Sequence, residues 1–324
     1  MLRTPRITTK PFEYPFAYDY WLKQQQSIWL HTNINLSRDV LDYNTRLSAD
    51  ERTVVRTILQ LFTEIETIVG EYWSTKVTSF FPKPEIAMMA ASFANMESIH
   101  AIAYSALNDT LGLSVEESNK FLEDKVMSYK LDKLRSYLDL SGDSNREIAL
   151  SLAVFSAFTE GVCLFSSFAV LKNFSRYGKM HGIFDLITYS MRDETLHSDA
   201  GCRLFREFLK ENPDLWDDSL KANIYEAARV VADLEESFMD RVFRDVPSKE
   251  ITGIKLADIK KYIRHRTNTK LADLNLSPVF ENTENHNFEW VDLSDGGAGH
   301  ADFFSRKVTE YSKGTIDVNP DDIF

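Results

Sequence analysis

The sequence predicts an all-α protein in which long helices bury a shared apolar core. Glycine (12) and proline (9) are scarce among the 324 residues, whereas phenylalanine (22) and tyrosine (13) are abundant. This composition favours helices packed by aromatic side chains over strands joined by tight turns. Two stretches, 84–107 and 148–171, are mostly apolar, and the few carboxylates in them are isolated. Such stretches predict buried helices whose acids need partners.

Charge and cysteine content limit the partners and the compartment. The formal net charge is −12 and the sequence pI is about 5.1, which argues against nucleic acid or an anionic membrane as the main partner. Cys163 and Cys202 cannot form a disulfide framework, and the first residues contain no apolar signal-peptide core. We therefore expect a reducing compartment, the cytoplasm.

The N-terminal third predicts an arm followed by two helices. Residues 1–20 contain three prolines and read as irregular, and Tyr20–Leu30 reads as a short helix that carries Trp29. Ser48 and Glu51 form a capping box that begins a helix extending to about Phe80. Within it Glu66 falls in an apolar stripe, whereas Glu64 and Glu71 fall in a polar one.

The stretch NMESIHAIAY, residues 95–104, places a carboxylate and an imidazole on one helical face. Glu97 and His100 are three residues apart, and Tyr104 follows one turn later. Tyr104 is either a core tyrosine with a satisfied hydroxyl or a redox-active phenol. A shorter polar helix begins at the Ser114 capping box. The amphipathic segment that follows it is interrupted near Gly142.

The stretch Ile148–Leu171 carries a single charge, Glu160, and is long enough to span a membrane. A carboxylate at the bilayer centre is costly, and the other apolar helices also carry isolated acids. We therefore expect one buried helix with Glu160 directed at a metal, and no membrane partner.

The C-terminal half predicts three helices and a tail. Ile183–Lys210 contains the motif RDETLH, in which Glu194 and His197 repeat the spacing of three. Trp216–Val246 and Thr252–Leu274 read as further helices, the second with a basic, solvated face. From Ser277 the composition becomes polar, so we divide the chain into a helical domain, 1–276, and a tail, 277–324, that folds little alone.

Four helices thus each carry an acid in an apolar setting, and two of them add a histidine. The six candidate metal ligands are Glu66, Glu97, His100, Glu160, Glu194 and His197. This donor set is typical of a ferritin-like helical bundle with a dimetal-carboxylate site, and its oxygen and nitrogen ligands suit iron or manganese. Buried ion pairs are the alternative, but these helices contain almost no lysine or arginine.

These motifs resemble the small (beta) subunit of class I ribonucleotide reductase, the radical-generating partner of a large (alpha) subunit, over nearly the whole chain. NMESIHAIAY resembles the family's segment of two ligands and a radical tyrosine, which implies that Tyr104 holds a tyrosyl radical. RDETLH and FTEG resemble the segments that contribute Glu194, His197 and Glu160, and Glu66 falls at the first ligand position.

The resemblance also implies a radical pathway and a docking segment. SIWLHTNINLSRD resembles the family's tryptophan segment, which implicates Trp29, and Asp193 matches the carboxylate between that tryptophan and His100. FFSRKVTEYSKG and the acidic end resemble the mobile C-terminus, so Tyr311 would relay the radical and the tail would bind the large subunit. A homodimer that uses O2 or a reduced oxygen species, and that serves deoxyribonucleotide synthesis for DNA replication, is implied as well.

One position departs from the pattern of many tyrosyl-radical members. Glu66 stands where aspartate is usual, as in branches that use manganese or manganese with iron. The two metal ions are therefore di-iron, di-manganese or manganese–iron, and the stored oxidant lies on Tyr104 or on the metals.

Two other functions are compatible with the same ligands. A dimetal oxygenase would oxidise a substrate without a partner-binding tail, which the segment from Tyr311 to Phe324 argues against. An iron-storage or structural helical protein would not need Tyr104.

Overall fold

The chain was analysed as a computed structural model that describes residues 1–113, 123–138 and 144–291, and these form a helical bundle. The helices are α1 (Pro15–Gln26), α2 (Ser37–Thr45), α3 (Ala49–Glu71), α4 (Pro84–Thr110), α5 (Lys125–Leu138), α6 (Asn145–Ala153), α7 (Phe165–Asn173), α8 (His181–Glu211), α9 (Asp218–Val242) and α10 (Leu256–Asp273). Short 3-10 turns lie at His31–Asn33, Phe174–Tyr177 and Pro213–Leu215. A two-residue antiparallel hairpin, β1 (Glu250–Ile251) and β2 (Ile254–Lys255), precedes α10. The predicted all-α class is confirmed.

Helix α3 begins and ends as its sequence predicts. The Ser48 hydroxyl accepts from the Glu51 N–H at 3.1 Å, and the Glu51 carboxylate accepts from the Ser48 N–H at 2.8 Å, which satisfies two otherwise free amides. The helix widens into a π-helical segment, Tyr72–Val77, and a last turn ends at Phe80. It packs along α4, so this pair forms one half of the bundle.

The stretch 148–171 is not the single helix that was predicted. Helix α6 passes into a π-helical segment, Val154–Thr159, and the chain then turns before α7 begins at Phe165. Leu164 has a positive φ of 72°, which interrupts the helical path. Apolar periodicity cannot reveal such a break, because residues 151–171 are all buried and show no exposed face. No helix among the described residues is long and apolar enough to cross a membrane.

The N-terminal region is more regular than predicted. Helix α1 begins at Pro15 and ends at Gln26, so Trp29 lies beyond the helix that was expected to carry it. The arm before it is held by two carboxylates: buried Glu85 accepts from the Tyr14 N–H at 3.0 Å, and partly exposed Glu211 accepts from the Leu2 N–H at 2.8 Å. The Leu2 side chain is itself buried in the core.

Helix α10 does not present a wholly solvated basic face, contrary to the expectation. Arg266 is buried and donates to the Gly161 carbonyl at 2.6 Å, while Arg264 pairs with Glu236 at 2.6 Å. Residues 277–291 also pack on the bundle, through buried Phe288 and Val291. The expected helix at Ser114, the interruption at Gly142, and the positions of Tyr311 and Phe324 lie outside the described residues.

Candidate metal centre

The six candidate ligands converge in the middle of the bundle. Glu66 comes from α3, Glu97 and His100 from α4, and Glu194 and His197 from α8, while Glu160 lies at the start of the turn that follows the π-helical segment. All six side chains are buried. Spacing of three on α4 and on α8 directs each Glu–His pair to one side of its helix, as predicted.

The ligand atoms form two overlapping groups. One contains Glu66, Glu97, His100 and Glu194, and the other contains Glu97, Glu160, Glu194 and His197. Within each group the potential ligand atoms lie within 4.8 Å of one another. Glu97 and Glu194 belong to both groups, so their two carboxylates are placed to bridge a pair of metal ions.

Both imidazoles direct Nδ1 to the centre and Nε2 away from it. His100 Nδ1 lies 3.1 Å from Glu97 Oε2 and 3.1 Å from Glu194 Oε1, and His197 Nδ1 lies 2.7 Å from Glu97 Oε1. His100 Nε2 faces Asp193 Oδ2 at 3.3 Å, and His197 Nε2 faces Gln24 Oε1 at 3.0 Å. Because acceptors hold the Nε2 protons, the Nδ1 lone pairs are available to a metal.

Several buried atoms at the centre lack hydrogen-bond partners among the described residues. They are both carboxylate oxygens of Glu66 and the Oε2 atom of Glu160. Burying carboxylates without partners costs several kcal/mol, so this concentration needs a compensating positive charge. Four carboxylates and two imidazoles are a donor set that fits two first-row metal ions.

The electrostatics of the ligand side chains lead to the same conclusion. Burial raises the pKa of Glu66 well above its usual range, and the neighbouring carboxylates of Glu194 and Glu97 raise it further. Burial and the same two carboxylates act alike on the pKa of Glu160. Burial acts to lower the pKa of His100, but Asp193, Glu194 and Glu97 raise it well above its usual range. Metal binding at these side chains should therefore release protons.

A second layer of side chains holds His100. The Trp29 indole donates to Asp193 Oδ2 at 2.7 Å, and that same oxygen faces His100 Nε2. The Trp29 ring stacks beside His100 with centroids 5.8 Å apart. Burial acts to raise the pKa of Asp193, but Arg192 and His100 hold it below its usual range. Trp29 and Asp193, singled out from the sequence, are thus in direct contact beside the ligands.

Gln24 was not singled out from the sequence, although it connects the two histidines. Its Oε1 faces His197 Nε2, and its Nε2 donates to Asp193 Oδ1 at 3.2 Å. In the sequence it lies in a run of three glutamines that resembles a solvated helix end. The available signal was that Gln24 follows Ala17 by two helical turns, on the buried face of α1.

Tyr104 lies one turn beyond His100 and is fully buried. Its ring centroid is 6.3 Å from that of His100 and 4.7 Å from that of Phe62. Burial raises the pKa of the phenol well above its usual value, and Glu66 raises it further. Its hydroxyl forms no well-aligned hydrogen bond among the described residues, and Ser190 acts to lower its pKa.

A helical bundle with paired Glu-x-x-His helices and two further glutamates defines the ferritin-like dimetal-carboxylate class. Residues 6–287 match the family described as ribonucleotide reductase, small chain, and the chain belongs to that family. A relative from Invertebrate iridescent virus 3, named "Probable ribonucleoside-diphosphate reductase small subunit", is 34% identical over 97% of this chain and 86% of its own. The beta subunit of Chlamydia pneumoniae ribonucleoside-diphosphate reductase is 26% identical over 93% of this chain and 88% of its own.

Solved structures show the same fold. A putative class I ribonucleotide reductase from Bacillus halodurans superposes with a TM-score of 0.78 at 21% identity, covering 86% of this chain and 99% of its own. Dimanganese(II)-NrdF of Streptococcus sanguinis superposes with a TM-score of 0.77 at 20% identity, covering 90% and 99%. Small subunits of this family have a two-metal site, form dimers and generate a tyrosyl radical for a large subunit. The predicted family, fold and oxidoreductase class are confirmed.

Proposed function

We propose that this chain generates a radical on Tyr104 and supplies it to a large subunit that converts ribonucleotides to deoxyribonucleotides. The observation that carries the proposal is the pair of overlapping ligand groups joined by Glu97 and Glu194, with Tyr104 one turn from His100. A storage protein would have no need of a fully buried tyrosine one turn from a ligand histidine.

Each ligand has a distinct place in this proposal. With metal bound, Glu66 and His100 would hold one position and Glu160 and His197 the other, while Glu97 and Glu194 belong to both groups of ligand atoms. When bound, the metal pair supplies the oxidising equivalent, drawn from O2 or a reduced oxygen species. The chain's own contribution is to exclude water, since every ligand and Tyr104 are buried, and to hold the histidine nitrogens in a metal-binding orientation.

The metal pair is di-iron, di-manganese or manganese–iron. The ligand types do not discriminate among these ions, because carboxylate and imidazole suit them all. Glu66 is one methylene longer than the aspartate that is usual at this place. It would contribute to the metal position that also contains His100, which lies beside Tyr104. Because a dimanganese(II) protein has the same fold, manganese should be tested beside iron when metal is added to the metal-free protein.

Trp29 offers the radical a path away from the centre. It contacts His100 by ring stacking and Asp193 by a hydrogen bond, so an electron can pass between Trp29 and the ligand layer through contacting groups. We place Tyr311 next on this path, and assign the last residues of the predicted tail to docking on the large subunit. Deleting Lys313–Phe324 should abolish turnover with the large subunit while the chain's metal content is unchanged; normal turnover would refute the docking role.

We propose that the chain acts as a homodimer in the cytoplasm. Cys163 and Cys202 are buried, free thiols, and burial raises the pKa of each, that of Cys202 to about 12. Such thiols are unreactive, so the reducing cysteines of the reaction belong on the large subunit.

Electron paramagnetic resonance with metal analysis tests the proposal. Protein loaded separately with iron, with manganese and with both is exposed to O2 or a reduced oxygen species. We expect a tyrosyl signal that Tyr104→Phe abolishes. Tyr72→Phe is the matched control, because Tyr72 is also buried but bonds Ser151 at 2.9 Å. A signal that survives Tyr104→Phe, or a metal-centred signal alone, would refute storage on Tyr104.

A further inference from the structure

The ligand contacts fix the register between α4 and α8. Glu97 Oε1 lies 2.7 Å from His197 Nδ1, and one turn further along α4, His100 Nδ1 lies 3.1 Å from Glu194 Oε1. Residue numbers rise along α4 as they fall along α8, so the two helices run antiparallel. One more turn brings Tyr104, four residues beyond His100, to the level of Ser190, four residues before Glu194.

Ser190 is buried, and its hydroxyl forms no hydrogen bond to the backbone of its own helix. Other hydroxyls on α8 do have partners. Thr188 and Thr195 donate to the carbonyls four residues earlier, at 2.7 and 2.8 Å, and Ser198 donates to the Ser156 carbonyl at 2.7 Å. A buried serine that forgoes the usual bond to its own helix is costly unless another group engages it.

The Tyr104 phenol is the group in position to do so. Two hydroxyls without other partners, one on each helix, occupy the same level of an antiparallel pair. We propose that Ser190 is the hydrogen-bonding partner of Tyr104 and determines the polarity around its oxygen. The intact phenol donates to Ser190 Oγ, and the tyrosyl oxygen, which has no proton to donate, accepts from the Ser190 hydroxyl after that hydroxyl rotates.

The balance of forces on Tyr104 agrees with this arrangement. Burial and Glu66 raise the pKa of the phenol, whereas His100 and Ser190 act to lower it. The Ser190 hydroxyl therefore adds a polar group beside a phenol whose ring packs against Phe62. A hydrogen bond to the oxygen lowers its unpaired-electron density and thereby alters the magnetic signature of the radical.

The hydrogen bond between Ser190 and Tyr104 can be measured directly, without any assay of turnover. The radical of the metal-loaded protein is prepared in D2O, and electron–nuclear double resonance measures deuterons coupled to it. High-field resonance measures its largest g value. Ser190→Ala should lose one exchangeable deuteron coupling and raise that g value, and Ser190→Thr, which keeps the hydroxyl, should restore both. Ser151→Ala is the control, since Ser151 bonds Tyr72 instead, and should change neither.

A coupling that is absent in the unaltered chain, or that persists in Ser190→Ala, would overturn the proposal; the second result would identify water as the donor. This inference rests on the proposed radical site, so a second readout uses metal-free protein. Infrared difference spectra with isotope-labelled tyrosine, assigned by Tyr104→Phe, report the phenol C–O stretch. A shift in Ser190→Ala that Ser190→Thr reverses supports the bond even if no radical forms. An unshifted band overturns it independently of the radical.

Discussion

Replacing Gln24 with leucine should weaken one metal position far more than the other. The substitution removes the acceptor for His197 Nε2, which lies 3.0 Å from Gln24 Oε1. An imidazole N–H left buried without an acceptor costs about 1–3 kcal/mol. Losing an outer hydrogen bond of this kind typically lowers metal affinity about 10- to 100-fold. The predicted loss falls on the position held by Glu160 and His197.

The other position should be largely preserved. Gln24 also donates to Asp193 Oδ1, but Asp193 keeps its bonds to Trp29 and Arg192 and still faces His100. Isothermal titration of metal-free protein with Mn²⁺, combined with metal analysis, resolves the two affinities. The matched control is Gln25→Leu, because the neighbouring glutamine bonds Ser92 at 2.7 Å, away from the ligands. Equal weakening of both positions, or no weakening, would refute the reasoning.

Three further predictions concern the ligands, the first helix of the site and the packing around it. Glu66→Ala should reduce the metal content towards one ion per chain, whereas Glu97→Ala should deplete both positions, since Glu97 belongs to both groups; elemental analysis distinguishes the two. Burial acts to raise the pKa of Glu51, but Thr252, the Ser48 amide and Lys179 hold it below its usual value of 4.5. Ionised Glu51 therefore stabilises the folded chain above pH 4.5, and this contribution is lost as the pH falls through the lower pKa of the folded state. Glu51→Gln should lower the free energy of unfolding by about 1 kcal/mol at neutral pH, and chemical denaturation should show the difference narrowing below pH 4.5; a constant difference would contradict the assignment. Gly201→Ala would bring a Cβ to 2.2 Å from Ser156 Oγ and should cost about 1–3 kcal/mol, and Ser156→Ala in the same chain should recover part of that loss in thermal unfolding.

The ligand types and their faces could be predicted from the sequence. Three residues separate Glu97 from His100 and Glu194 from His197, and this spacing directs both members of a pair to one side of any α-helix. Isolated acids in apolar surroundings, such as Glu66 and Glu160, also require a buried partner wherever the helices pack. These are local properties of the chain, so they survive without knowledge of its tertiary arrangement.

The break between α6 and α7 could not be predicted in this way. Residues on both sides of Leu164 are buried, so the hydrophobic pattern remains continuous while the backbone turns at a positive φ. Gln24 was missed because its side chain is polar although it lies in the protein interior. A glutamine reads as solvated until packing places a histidine and an aspartate against its amide.

The sequence by itself thus determined an all-α chain, six metal-ligand candidates and a tyrosine one turn from a histidine, because helical periodicity acts over neighbouring residues. Tertiary structure decided which carboxylates are shared between the two metal positions and that Ser190 lies level with Tyr104. Those facts depend on the register between α4 and α8. That register is set by how side chains far apart in the chain interlock, and no spacing within one helix encodes it.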